Sequence, residues 1–138
     1  MSPARRLLAA SLLACGLPAG AAQWLAVPGA PDLAIDIASL QQEHAQVAAW
    51  IRWWGRPAFV PELAAWDPQP TRVHRTLLRT VFDCNRRTLR VLAASAYDSQ
   101  GRPVFMSSVP TSEQPVHDAD LAWAYDAVCE AARSGGRL

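Results

Sequence analysis

Residues 73–98 read VHRTLLRTVFDCNRRTLRVLAASAYD. Over two runs, Val73 to Cys84 and Arg87 to Asp98, apolar and β-branched residues recur at the period of a strand. In the first run Leu78, Phe82 and Cys84 share a face; in the second Leu89, Val91, Ala93, Ser95 and Tyr97 do. The polar pair Asn85-Arg86 sits between the runs and predicts a tight antiparallel hairpin.

Upstream, Gln46 to Trp54 (QVAAWIRWW) alternates too. Val47, Ala49, Ile51 and Trp53 fall on one side, and Ala48, Trp50, Arg52 and Trp54 on the other. Both sides are rich in apolar groups, which predicts a strand that is central or covered on each side. Gln23 to Val27 and Leu33 to Ile37 are shorter strands, separated by the turn-forming Pro28-Gly29-Ala30-Pro31-Asp32. Between residues 55 and 72 prolines recur at 57, 61, 68 and 70 and periodicity disappears, so a long irregular loop carrying Phe59 and Trp66 is expected. Downstream, Ser99-Gln100-Gly101 supplies a turn, Pro103 to Ser108 a further strand, and Val109 to Val116 a proline-punctuated extended segment.

Asp118 suits the N-cap of a helix from about Ala119 to Arg133, with Asp120 in its first turn and Arg133 near its end, each matched to the helix dipole. Leu121, Tyr125, Val128, Cys129 and Ala132 form one stripe at helical spacing. The predicted class is therefore α+β: an antiparallel sheet of about six strands with a C-terminal helix packed on one face.

The chain has 138 residues, 51% hydrophobic and 18% charged, which fits one globular domain. Met1 to Ala22 has the parts of a secretory signal: Arg5 and Arg6, an apolar Leu7 to Leu17 too short to span a bilayer, the helix-breaking Pro18, and small residues through Ala22. The expected organisation is a leader over 1–22, a folded domain over 23–133, and a flexible tail over 134–138. Beyond the leader, 11 arginines face 12 Asp and Glu residues, and there is no lysine. That balance does not suit a nucleic-acid partner, which calls for a strong basic excess. Two maturation routes stay open. Cleavage near Ala22 would release the domain, whereas Leu12-Leu13-Ala14-Cys15 resembles a lipobox in which Cys15 is lipidated and holds the domain to a membrane.

Cys84 and Cys129 then remain as an even pair, read as a disulfide in an oxidising compartment and tethering the helix to the sheet. The alternative is a metal site, but His44, His74 and His117 are scattered and none stands at ligand spacing from a cysteine. No metal and no cofactor is expected.

Taken in order, Trp24 after the leader, Ile35-Asp36, Val47 to Trp50, Asp83-Cys84-Asn85-Arg86-Arg87, Tyr97, Gly101 and the late Cys129 resemble the bacterial surface-adhesin protein E family. The resemblance spans residues 23–130, nearly all of the chain after the leader. It implies export, a sheet with a disulfide-tethered C-terminal helix, and adhesion. The family takes its name from a surface protein that binds host extracellular-matrix and serum proteins, while most relatives are small exported domains with no established role.

Enzyme motifs are missing: there is no G-x-S-x-G, no H-E-x-x-H and no C-x-x-C. The function expected is a non-enzymatic binding module of the periplasm or outer surface of a Gram-negative-type cell, with an envelope or host protein as partner. Its contact surface is the sheet's open face or the 55–72 loop. Two other readings stand beside it: a structural subunit forming homodimers through an exposed strand edge, and a small periplasmic hydrolase. Candidate binding residues are Trp54 and Trp66, if exposed, and Arg86 with Arg87 beside Asp83, able to grip a carboxylate or phosphate bidentately. The competing roles are core packing for the tryptophans and a solvated hairpin tip for the arginines.

Overall fold

The computed structural model describes residues 21–55 and 72–135. Cys15 and most of the expected leader lie outside them, as do Phe59, Trp66 and residues 136–138. The described residues form β1 (Trp24–Val27), β2 (Ala30–Glu43), β3 (Gln46–Trp54), β4 (Arg75–Asp83), β5 (Thr88–Tyr97), β6 (Pro103–Ser107), β7 (Gln114–Pro115) and α1 (Ala119–Arg133). Strands β1 to β6 pair in sequence order as an antiparallel meander, and the two-residue β7 continues the β6 side of β5. The helix lies on one face, mainly over β2. This is the α+β class that the strand and helix periods predict.

Strand β2 is far longer than the Leu33–Ile37 expected. Val27 pairs with Ala30, so Pro28-Gly29 alone makes the turn. The order Pro then Gly is that of a type II turn, whose third position needs the positive φ that Gly29 adopts (84°). Pro31 and Asp32 do not end the strand, because a bulge opposite Ala26 and Val27 absorbs them. A second, wider irregularity follows: Asp36 pairs with Trp50 and Gln41 with Ala48, leaving Ile37 to Leu40 to oppose Ala49. Side chains replace the lost ladder bonds. The Trp50 N–H donates to Ser39 Oγ (2.9 Å), whose hydroxyl donates to the Asp36 carbonyl (2.7 Å).

The β4–β5 hairpin is present, but its turn is Cys84 to Arg87 rather than the pair Asn85-Arg86. Asp83 Oδ1 accepts from the N–H groups of Asn85 (3.0 Å) and Arg86 (2.9 Å), and Arg87 takes φ 55° to bring the chain back. A bulge in β5 also changes the expected faces. Thr80 pairs with Val91 and Arg79 with Ala93, so Leu92 is the extra residue. Beyond it Ala94 and Ala96 turn to the helix side, and Ala93, Ser95 and Tyr97 leave the face of Leu89 and Val91.

The core lies between α1 and the helix-facing side of the sheet. Leu33, Ile35, Val47, Ala49, Ile51, Leu78, Phe82 and Leu89 meet Leu121, Ala124, Val128 and Cys129 there, all at most 2% exposed. Leu121, Tyr125, Val128 and Cys129 of the expected stripe are buried and Ala132 is half-buried against the core, while Ala124 and Ala131 are buried as well. Asp118 caps α1 by accepting from the Asp120 (2.9 Å) and Leu121 (3.4 Å) N–H groups. Cys84 and Cys129 are joined, with Cα atoms 5.9 Å apart, which removes the metal alternative for this pair. Beside the bridge the Tyr125 hydroxyl donates to the Cys84 carbonyl (2.7 Å), and its ring meets Phe82 edge-on (6.1 Å). The C-terminal cap reaches Ser134, whose N–H donates to the Glu130 carbonyl (3.0 Å).

Candidate binding surface on the open face of the sheet

The strand alternation that sends Ile51 and Leu78 under the helix sends a different set to the opposite side, which no element of the described residues covers. Across β3 and β4 the register sets Trp50 beside Arg79, Arg52 beside Leu77, and Trp54 beside Arg75. On the flanks Trp24 of β1 stands opposite Asp36, and Tyr97 of β5 opposite Arg75.

These side chains assemble into stacked pairs. The Arg52 guanidinium lies over the Trp24 ring (4.8 Å) and over the Trp54 ring (4.9 Å). Arg75 lies over Tyr97 (4.6 Å), and Arg79 stands 6.0 Å from the centre of the Trp50 ring. The His74 ring tilts against Trp54 at 5.5 Å. A guanidinium attracted to the negative face of a ring keeps its in-plane N–H donors free for a ligand.

Arg79 is the anchored member. Its Nη1 donates to the Ser39 carbonyl (3.1 Å) and its Nη2 to Gln41 Oε1 (3.0 Å), which ties β4 to the β2 bulge. Burial lowers its pKa, and the nearby Asp36 carboxylate acts against that shift. Asp36 itself is buried, and its Oδ1 accepts from the N–H groups of Gln23 (2.8 Å) and Ala38 (3.1 Å). Arg52 and Arg75 have no carboxylate partner among the described residues, and Arg52 Nε is buried without an acceptor. Toward β6 the ladder gives way to a shallow groove lined by Trp50, Ala93, Ser95 and Met106, the last 69% exposed.

The residues singled out in the sequence fare unequally. Trp54 is 42% exposed and belongs to the ladder, Trp50 is half-buried on the same face, and Trp53 packs on the core side. Trp66 lies outside the described residues. Arg86 and Arg87 do not converge: Arg86 pairs with Glu113 (3.3 Å), while Arg87 pairs with Asp126 (3.8 Å) and lies over Tyr125 (4.8 Å). Asp83 is committed to the turn N–H groups, so the three form no fork for one anion. Trp24, Arg52, Arg75, Arg79 and Tyr97 were not among the sequence candidates. The alternation of β3 already places Arg52 between Trp50 and Trp54, but joining Trp24, Arg75 and Tyr97 to them needs the register.

Among the described residues no three His, Cys, Asp or Glu side chains gather as a metal site, and no helix is long and apolar enough to cross a membrane. No family model and no curated protein matches the sequence. Among solved structures the chain is similar to Haemophilus influenzae protein E. One structure of it shares 14% identity at a TM-score of 0.52, covering 83% of this chain and 88% of that one. A second, from a non-typeable strain, also shares 14% at 0.52, covering 88% and 85%. Crystal form II shares 18% at 0.50, covering 78% and 87%. At these identities the likeness establishes the fold alone, the antiparallel sheet with a C-terminal helix expected from the sequence.

Proposed function

We propose that this chain is an exported, adhesin-like binding module of the cell envelope, non-enzymatic, which meets its partner through the open face of its sheet. The carrying observation is the ladder itself: Arg52 and Arg75 stand stacked on Trp24, Trp54 and Tyr97 with no carboxylate partner among the described residues. Partly exposed aromatic and arginine side chains gathered on one face, with Trp54 the most open of them, match the composition of contact surfaces. The signal-like leader and the fold shared with protein E support placement in the envelope, in the periplasm or at the outer surface. Anchoring through Cys15 would hold the domain at a membrane, and cleavage near Ala22 would free it.

The test is site-specific cross-linking in intact cells. A photoreactive benzoylphenylalanine replaces Trp54 or Met106 on the open face, or Glu130 on the outer side of α1. Adducts with an envelope or host component are expected from the first two positions and none from the third. Adducts from Glu130 alone, or from no position, would remove the open face as the contact surface. Intact mass of the protein recovered from the envelope fraction reports the maturation route in the same preparation.

A further inference from the structure

Resting on the reading of the open face as the contact surface, we infer that its ligand is a carboxylate-bearing polysaccharide, a chain of uronic-acid type, seated along the arginine–aromatic ladder. Three features lead there. The first is charge. Among the described residues Arg52 and Arg75 stand at the centre of the face without carboxylate partners, and Arg79 adds a third guanidinium. The carboxylates that the same alternation places on this side are, among the described residues, committed or peripheral. Asp36 is buried on backbone N–H groups, Asp83 holds the hairpin turn, Glu43 faces Gln46 at the far end, and Asp32 lies in the first bulge. The centre of the face therefore carries positive charge that an anionic chain would complement.

The second feature is hydrogen-bonding sign. Arginine and tryptophan side chains only donate. A peptide brings one N–H for nearly every C=O, and its donors would meet donors here. A polysaccharide brings ring oxygens, hydroxyls that accept, and carboxylates, and the C–H faces of its rings can pack against the exposed part of Trp54.

The third is the shape of the Arg52 site. The register sets Trp54 and Trp24 toward opposite sides of Arg52, and its guanidinium lies over both rings. With Nε buried, a ligand meets the terminal Nη pair. A planar carboxylate can lie in the guanidinium plane between the flanking rings, whereas the tetrahedral oxygens of a sulfate project toward them. Arg75 stands diagonally across the β3–β4 pair, about 7–8 Å away at the backbone, and provides a second fork for another carboxylate of the same chain.

The purified domain is titrated at physiological salt with polygalacturonate, dextran sulfate, neutral dextran and poly-glutamate, following tryptophan fluorescence and calorimetry. Polygalacturonate is expected to bind most tightly and neutral dextran not at all. Arg52→Gln and Arg75→Gln should each weaken polygalacturonate binding about tenfold, roughly the loss of one charged contact. Arg133→Gln, at the helix end, should change nothing. Arg52→Lys keeps the charge without the planar fork and should behave as Arg52→Gln does. Thermal unfolding of each variant checks that the fold is intact. Tighter binding of dextran sulfate, equal binding of poly-glutamate, full binding by Arg52→Lys, or an equal loss in Arg133→Gln would each overturn the inference. So would no binding of any polymer. If cross-links from Trp54 still form in that case, only the ligand class falls; if they are lost too, the open-face reading falls with it.

Discussion

Gly29 does two jobs at one position. Its φ of 84° closes the β1–β2 turn, and the Trp123 ring of α1 lies so close that a Cβ would come within 2.5 Å of it. Trp123 is thus 48% exposed yet seated on the backbone of the first hairpin. Gly29→Val should cost about 2–4 kcal/mol, combining a left-handed backbone penalty with overpacking. Pairing it with Trp123→Ala should recover the overpacking share. Urea unfolding of the two variants checks both, and equal stability of single and double mutant would rule out the contact. A second residue-scale effect lies at Asp98 in the β5–β6 turn. The backbone N–H of Arg102 lowers its pKa most, helped by the Gln100 N–H and the Arg102 side chain, against a desolvation effect that raises it. A carboxylate held below its unfolded value stabilises the fold above the usual carboxylate pKa of about 3.9, and loses that contribution as pH falls through its lowered value. Asp98→Asn should therefore lower the urea midpoint at neutral pH, with the difference from wild type shrinking as the solution is acidified below about pH 4. A difference that grows on acidification would contradict it.

Elements here are joined by side-chain devices as much as by ladder bonds. At the β2 bulge Ser39 takes the Trp50 N–H and returns its hydroxyl proton to the Asp36 carbonyl, while its own carbonyl receives Arg79. Ser39→Ala strands the Trp50 donor and should cost about 1–2 kcal/mol; an unchanged denaturation midpoint would mean that water replaces the hydroxyl. The helix is held by the stripe from Leu121 to Cys129 and by the Cys84–Cys129 bridge, whose partners are 45 positions apart. Closing a loop of that length stabilises by about 4 kcal/mol through the unfolded chain. A Cys84→Ser/Cys129→Ser double variant should lose about that much in urea unfolding, and a loss well under half of it would point to residual structure that already restricts the reduced unfolded chain. Much of this scale was legible beforehand. The hairpin runs, the Asp118 cap, the helix stripe and the cysteine pair follow from local periods and from residue chemistry. The bulges at Leu92 and at Ile37–Leu40 did not show, because an extra residue in one strand is defined only against its partner.

For the whole molecule, the meander is built from neighbours in sequence, whereas α1, which follows the last strand, docks back across β1 to β4 and mainly on β2. The tether runs through the β4–β5 turn. Reduction should loosen the helix before the sheet: under reducing conditions amides of residues 121–131 should lose hydrogen-exchange protection more than those of β3 and β4. Uniform loss across both would show one cooperative unit. The same two-sided construction accounts for the candidate site. One side of each central strand fills the core under α1, and the other carries arginines and aromatics that, among the described residues, stack on one another.

Local sequence was enough to determine that this chain makes an antiparallel sheet with a capped, amphipathic C-terminal helix and a cysteine pair, since alternation, capping and spacing act over a few residues. The tertiary structure alone decided that Arg52 stands between Trp24 and Trp54, that Arg75 meets Tyr97, and that Arg86 and Arg87 part company. Those meetings depend on strand register and on bulges, which shift by one residue the face on which every later side chain appears. A short-range pattern carries no record of such a shift.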